Sequence, residues 1–208
     1  YAAMLSHEPK NYALAGYDGA LILRGVAFRS SRAEPFGEAF LRAAIAQLLR
    51  GDVPGVRAAY LDAVTALRRR TLAPYDVSSQ VRLTRSVDDY QAGRAGRREL
   101  AYEAVLASGR TTWRAGERVR VYRTRTGGAV VTTDDDGGPD RADPRRDYDV
   151  DHYLRVLRDT FAARLARGFA PADFAAVFAD PDQLALFAPA LDAIQPVLTT
   201  LAPDPADP

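Results

Sequence analysis

Cysteine is absent from the 208-residue chain, and histidine occurs only as His7 and His152. The absence of thiols excludes disulfides and thiolate metal sites, and two histidines do not suffice for a histidine-rich metal centre. No apolar run approaches the roughly 20 residues that a membrane-spanning helix requires. The start of the chain lacks the basic region and apolar core of a signal peptide. Because the chain opens on Tyr1 and not on Met, we expect a piece of a longer protein or a processed product.

Lysine is almost absent as well, because Lys10 is the single lysine among 28 basic residues. The net charge of +1 conceals an uneven distribution: residues 1–130 hold 21 basic and 12 acidic residues, whereas residues 131–208 hold 7 and 15. A cationic part joined to an anionic part indicates a polyanion partner for the first part. Ordinary solvated surfaces explain the same distribution, and charge alone leaves both interpretations open.

Apolar residues make up 47% of the chain and charged residues 26%, which is typical of a folded protein with one domain or two small ones. Alternation of apolar and polar residues predicts strands, and apolar spacings of three and four predict helices. The predicted strands are a hairpin of 11–14 and 21–29 turning at Tyr17-Asp18-Gly19, an extended segment at 81–84, and 118–124 with one basic face. The predicted helices are 36–50, a helix capped by Asp52 that ends in Arg68-Arg69-Arg70, 97–107, and a helix from Asp149 or Asp151 to Leu165.

The segment 127–146 is predicted to be a loop, because it is rich in glycine, aspartate and proline. Its aspartates do not match a calcium-binding loop, since the positions that need Gly and Glu, counted from Asp147, hold His152 and Arg158. The chain also has no phosphate-binding glycine loop and no Ser-His-Asp pattern. We therefore predict no catalytic residues and no metal ligands in this chain.

The predicted hairpin carries Lys10 and Tyr12, two residues apart. On a strand, both side chains would point to one face. A lysine there can reach minor-groove acceptors that every base pair presents, and a tyrosine hydroxyl can bond a phosphate. An edge hairpin with a packed tyrosine and a solvated lysine is the alternative.

Several short motifs follow one another in an order that resembles the palm–thumb junction and thumb of family B DNA polymerases. The resemblance extends from residue 7 to about residue 168 and implies an α+β fold, with an N-terminal β-hairpin from the palm and a mostly helical thumb that has a small β element. The motifs are 10–14 (KNYAL), the turn 17–19 (YDG), 24–26 (RGV), 52–53 (DV), 83–90 (LTRSVDDY), 116–122 (GERVRVY) and 148–153 (YDVDHY).

The resemblance implies roles for individual residues. Lys10 and Tyr12 match the Lys-x-Tyr motif that steadies the primer–template. Residues 1–32 would be the end of the palm, 33–168 the thumb, and 169–208 a C-terminal extension. The candidate DNA phosphate contacts are Arg29, Arg32, Arg85, Arg118 and Arg120.

The resemblance also shows what this chain lacks. The metal-binding aspartates and the nucleotide-binding helix of the family lie upstream of Lys10, so we expect nucleotidyl transfer with Mg²⁺ only in the intact polymerase and no activity from this chain alone. The implied function is primer–template binding in replication or repair by a bacterial, cytoplasmic, nucleoid-associated enzyme. A stand-alone DNA-binding or clamp-tethering protein, and an interaction module that does not bind nucleic acid, are the alternatives.

A second motif, Gln183-Leu184-Ala185-Leu186-Phe187, resembles the pentapeptide that binds the bacterial sliding clamp. An extended peptide of this kind inserts its Leu and Phe into an apolar groove while Gln forms hydrogen bonds. The candidate clamp-binding residues are Gln183, Leu184, Leu186 and Phe187. Packing of Leu186 and Phe187 in the protein core is the alternative.

Overall fold

The computed structural model describes residues 1–132, 146–182 and 190–200. These residues form six α-helices and two small antiparallel sheets, which confirms the predicted α+β class. None of the helices in this part of the chain is long and apolar enough to cross a membrane. The strands are β1 (Ala3–Glu8), β2 (Asn11–Ala15), β3 (Leu21–Arg24), β4 (Ser79–Arg82), β5 (Arg118–Arg123), β6 (Ala129–Thr132) and β7 (Thr199–Thr200), and the α-helices are α1 (Pro35–Leu48), α2 (Val53–Arg68), α3 (Val87–Gly93), α4 (Leu100–Ala107), α5 (Val150–Arg155) and α6 (Pro171–Val177).

The chain divides into two compact units. The first unit comprises Tyr1–Ser30, Gly37–Thr65 and the described residues from Arg155 onward; the second comprises Ser31–Phe36 and the described residues of Ala66–Leu154. These boundaries differ from the predicted segments 1–32, 33–168 and 169–208, because each unit is assembled from separate stretches of chain. The palm and thumb assignments stay predictions.

The first unit contains a four-stranded sheet in the order β3-β2-β1-β7. The predicted hairpin is present as β2 and β3, with Leu14 opposite Ile22. Two details of the prediction are wrong: β1 adds a strand that the sequence pattern did not indicate, and β3 ends at Arg24 rather than at Arg29. The strand ends there because Gly25 adopts a φ of 85° and its carbonyl accepts the amide N–H of Phe28.

The helices of the first unit follow their apolar spacing. Phe40, Leu41, Ala44, Ile45 and Leu48 of α1 are all buried at spacings of three and four residues. After the turn at Gly51, Asp52 caps α2, and its carboxylate accepts the amide N–H of Gly55 at 2.8 Å. The core is closed by edge-to-face contacts of Phe178 with Phe40 and Tyr60, at centroid distances of 6.4 and 5.4 Å.

The last long helix differs from its prediction. α5 continues as a π-helical turn over Val156–Phe161 and as a 3₁₀-helix over Ala162–Gly168, so it is not a single α-helix to Leu165. The predicted stripe of Tyr153, Leu157, Phe161 and Leu165 is nevertheless buried. The π-helical turn is wider than an α-helical turn and the 3₁₀-helix is tighter, but the four side chains of the stripe stay buried.

The second unit contains a three-stranded sheet in the order β4-β5-β6. One face of this sheet, which includes Val119 and Val121, packs with Tyr90, Tyr102 and Trp113 in one apolar cluster. The prediction of a loop over 127–146 was wrong at the start of this segment. The strand β6 lies there and pairs with β5, which places Val131 opposite Val121.

The helices of the second unit are shorter than predicted or were missed. The predicted helix 97–107 begins only at Leu100, and α3 was not predicted at all. Ser86 caps α3, since its hydroxyl accepts the amide N–H of Asp89 at 3.2 Å. Seven residues with one buried side chain, Tyr90, give too little periodicity to identify a helix from the sequence.

A hydrogen-bonded triad fastens α3 to α4 in the second unit. Tyr90 stacks on Tyr102 at a centroid distance of 4.3 Å and donates its hydroxyl to Glu103 at 2.6 Å. Arg94 donates two hydrogen bonds to the same carboxylate, at 2.8 and 2.7 Å. The bonds from Arg94, followed by the bond from Tyr90, lower the pKa of Glu103 to about 2.

We predict that Gly37→Ala destabilises the first unit, although alanine normally favours a helix over glycine. A Cβ atom at Gly37 would overlap the ring of Phe161, and overpacking of this kind costs about 1–3 kcal/mol. Thermal and urea unfolding measure the change. Gly93→Ala is the control, because a Cβ there meets only the end of the Arg85 side chain at 3.8 Å; equal effects of both substitutions would contradict the packing argument.

We predict that Glu103→Gln lowers the melting temperature at neutral pH and that this difference disappears in acid. A carboxylate whose folded-state pKa is depressed adds stability above its unfolded pKa, and that stability is lost as the pH falls toward about 2. Melting curves between pH 7 and pH 2 test this. Glu8→Gln, at an exposed position, is the matched control. A constant offset between wild type and Glu103→Gln at all pH values would reject the ionic role of Glu103.

Candidate nucleic-acid interface

Lys10 lies in the turn between β1 and β2, not on a strand. Its φ of 68° belongs to the left-handed region, so the expectation that strand alternation places Lys10 and Tyr12 on one face is wrong. Tyr12 is in β2 and lies directly opposite Arg24 of β3. Directly opposed residues share a face of the sheet, so Arg24, which was not among the residues predicted from the sequence, is the cation beside Tyr12.

The turn is held against the loop that follows β3. The side-chain oxygen of Asn11 accepts the amide N–H of Ala27 at 3.0 Å, and its amide donates to the carbonyl of Pro9 at 3.3 Å. Gly25 lies so close to the carbonyl of Lys10 that a Cβ atom would overlap it. The asparagine and the glycine therefore fix the loop beside the Lys10 turn.

This arrangement collects basic residues at one corner of the first unit. The amide of Arg29 donates to the carbonyl of Gly25 at 3.1 Å, so the backbones of Lys10, Arg24 and Arg29 meet around Gly25. The side chains of these three cations are exposed. Glu8 is the acidic residue of the same turn, opposite Asn11. We call Lys10, Tyr12, Arg24 and Arg29 the Lys10 corner.

Arg32 and Arg85, the next two candidate phosphate contacts, both belong to the second unit. Arg32 is exposed, and its carbonyl accepts the amide N–H of Gln80 at 2.8 Å. Arg85 forms an ion pair with Glu99 at 2.5 Å, and its side chain is 37% exposed. Because this carboxylate already holds the guanidinium, a phosphate would have to compete with Glu99 for Arg85.

Arg118 and Arg120 differ in exposure although both are on β5. Arg118 is exposed, whereas Arg120 is only 5% exposed. The guanidinium of Arg120 lies 4.6 Å from the centre of the Tyr75 ring and donates to the carbonyl of Ala33 at 3.3 Å. The predicted basic face of this strand is therefore open to solvent at Arg118 and covered at Arg120.

The basic run at the end of α2 does not form one cluster of exposed charges. Arg70 donates to the carbonyls of Arg146 and Tyr148, at 2.5 and 2.7 Å, and its guanidinium lies 5.4 Å from the centre of the Tyr148 ring. Arg70 thus anchors a distant segment of the second unit. Arg69 is exposed.

Two further expectations concern clamp binding and metal. The residues Gln183, Leu184, Leu186 and Phe187 lie outside the described residues, so clamp binding stays a prediction. Within residues 1–132, 146–182 and 190–200, no group of three acidic or histidine side chains is placed to hold a metal ion. The described residues do not fit a Mg²⁺ site, and we assign no metal-dependent step to them.

We predict that Gly25→Ala destabilises the first unit by about 1–3 kcal/mol, from the strained φ together with overlap with the Lys10 carbonyl. Gly19→Ala separates the two causes. Gly19 has a φ of 82°, close to that of Gly25, but a Cβ there meets no atom within 4 Å. Urea unfolding should show the larger loss for Gly25→Ala, and equal losses would mean that the close approach to Lys10 contributes nothing.

The fold is similar to part of a known structure. It matches the family B DNA polymerase from the hyperthermophilic archaeon Pyrobaculum calidifontis with a TM-score of 0.53 and 16% sequence identity, covering 88% of this chain and 22% of that polymerase. This chain thus corresponds to about a fifth of the length of that enzyme. No protein-family model matches the chain, and no curated protein matches it in sequence. The chain therefore has a fold similar to that of a segment of a family B DNA polymerase.

Proposed function

We propose that this chain binds the sugar–phosphate backbone of primer–template DNA as the thumb region of a family B-like DNA polymerase. The observation that carries the proposal is the Lys10 corner, where the backbones of three exposed cations lie around Gly25 and Tyr12 lies opposite one of them, in a fold similar to a polymerase segment. The order of the sequence motifs around Lys10 supports the same assignment.

The chemistry of the Lys10 corner suits a duplex whose sequence varies. Most protein–DNA hydrogen bonds go to phosphate and sugar, from lysine, arginine and tyrosine among others. Such contacts carry no sequence information, as a polymerase that holds any product duplex requires. Lys10 can also reach the minor-groove acceptors that every base pair presents.

The proposed division of labour leaves the chemical step to other residues. Nucleotidyl transfer in the whole enzyme would use metal-binding aspartates upstream of the Lys10 motif, and Mg²⁺ would be held there. The residues of this chain would bind and orient the duplex. Participation in replication or repair, and a bacterial origin, belong to the same proposal.

We predict that Lys10→Ala weakens binding of a labelled primer–template by roughly three- to tenfold at low salt and flattens the dependence of log K on log[salt] by about 0.9, as for one lost phosphate contact. Fluorescence anisotropy at several salt concentrations measures both quantities. Arg50→Ala is the matched control, because Arg50 is an exposed cation of the first unit outside the Lys10 corner.

Two outcomes would count against the proposed function. If Lys10→Ala and Arg50→Ala change affinity and salt dependence equally, net charge rather than the Lys10 corner determines binding. If wild-type protein with a normal circular dichroism spectrum and a cooperative melt does not bind the duplex at the lowest salt, this chain is not a DNA-binding segment. Duplexes of unrelated sequence should bind equally well.

A further inference from the structure

A cavity on the sheet of the second unit is lined largely by basic and polar side chains. Its volume is about 140 Å³, well above the 10–15 Å³ that a single water requires. The described residues that line it include no carboxylate. We call this cavity the arginine notch; its lining residues are Gln80, Arg110, Arg118, Val119, Arg120, Val131 and Thr132.

Strand register explains why the polar side chains meet in the arginine notch. Gln80 of β4 and Thr132 of β6 both lie directly opposite Arg120 of β5. Because side chains alternate along a strand, these three residues share one face of the sheet. Val119 and Val131, which also line the cavity, belong to the apolar cluster of the other face. Gln80 and Thr132, two neutral residues that can donate hydrogen bonds, therefore lie on either side of Arg120, on the two neighbouring strands.

The same face carries an unfavourable pairing of like charges. Arg82 of β4 lies directly opposite Arg118 of β5, and both residues are exposed. Like charges in directly opposed positions destabilise a sheet. A bound anion at this position would remove the repulsion, so the pairing favours a negatively charged ligand.

The arginines that line the notch differ in their contacts. Arg110 pairs with Glu117 at 2.5 Å, and the bond from Arg110 is the main cause that lowers the pKa of the Glu117 carboxyl. Arg120 packs on Tyr75. Of the three arginines that line the notch, Arg118 is the one classed as exposed, and a guanidinium presents a planar fork of N–H donors that matches phosphate oxygens.

We propose that the arginine notch binds one phosphate group, with Arg118 supplying the charge and with Gln80 and Thr132 supplying neutral donors. The backbone of duplex DNA is the expected source, and in that respect the proposal rests on the proposed function. Free phosphate has the same chemistry and is the second source to be tested.

The test compares Arg118→Gln with Arg97→Gln in full-length protein. Both substitutions remove one exposed positive charge from the second unit, but Arg97 does not line the arginine notch. We expect Arg118→Gln to weaken duplex binding roughly three- to tenfold and to lower the salt slope by about 0.9, as for one lost phosphate contact, with no change for Arg97→Gln. Equal losses of affinity in the two variants would overturn the proposal.

Free phosphate is tested separately by NMR. The arginine Nε–Hε signals of wild type and Arg118→Gln are followed during titration with inorganic phosphate and, at equal ionic strength, with sodium chloride. A saturable shift of the Arg110 signal with phosphate, lost in Arg118→Gln, supports the notch with free phosphate as a ligand. Shifts with duplex DNA alone support the notch with the DNA backbone as ligand, and no specific shift with either overturns it.

The acidic run Asp134-Asp135-Asp136 follows Thr132 closely in the sequence. Its carboxylates could compete with phosphate for Arg118, so the test needs a control for this competition. The comparison is therefore repeated with Asp134→Asn, Asp135→Asn and Asp136→Asn present. If Arg118→Gln has no effect in either background, the notch is rejected.

The outcomes separate the two proposals. DNA binding that depends on Lys10 and not on Arg118 retains the proposed function and rejects the notch. Phosphate binding that depends on Arg118, in a protein that does not bind duplex DNA, retains the notch and rejects the proposed function.

Discussion

The close approach of Gly25 to the carbonyl of Lys10 is the constraint on which the proposed DNA contact depends. A side chain at Gly25 would overlap that carbonyl and the Asn11 side chain, so only glycine lets β3 end where it does and lets the following loop lie against the β1–β2 turn. Asn11 then fixes this loop by accepting the amide N–H of Ala27. This geometry brings the backbones of Lys10, Arg24 and Arg29 together although these residues are far apart in the sequence.

Several arginines have structural roles in this protein, which the charge count does not reveal. Some guanidiniums are structural: Arg57 donates to the carbonyls of Val177 and Ala179, at 2.8 and 2.6 Å, and Arg164 donates to the carbonyl of Ala27 at 2.8 Å. A guanidinium suits this use because its planar fork can reach two acceptors at once and it stays charged. The excess of basic residues in positions 1–130 therefore overstates the charge that is available to a polyanion.

The accuracy of the sequence predictions followed the length and periodicity of each element. α1 and α2 were predicted within two residues because long apolar stripes with a glycine stop and an aspartate cap define them locally. β1 and β6 were missed, since strands of six and four residues form by pairing with neighbours that the local pattern does not reveal. α3 had one usable signal, the Ser86-x-x-Asp89 spacing of a helix cap. For the candidate site, the sequence indicated Lys10, Tyr12 and Arg29 but not Arg24, because the cross-strand partner of Tyr12 is set by register.

The sequence by itself determined the two long helices and the hairpin turn, since each depends on residues close together in the chain. The α+β class followed from the family resemblance of the ordered motifs. Only the tertiary structure decided which basic side chains face solvent. Arg118 and Arg120 look equivalent in the alternating sequence, yet Arg120 lies over Tyr75 while Arg118 is exposed. Whether a charged side chain is exposed or covered depends on partners that are distant in sequence, because burial and pairing of charge are properties of the packed molecule.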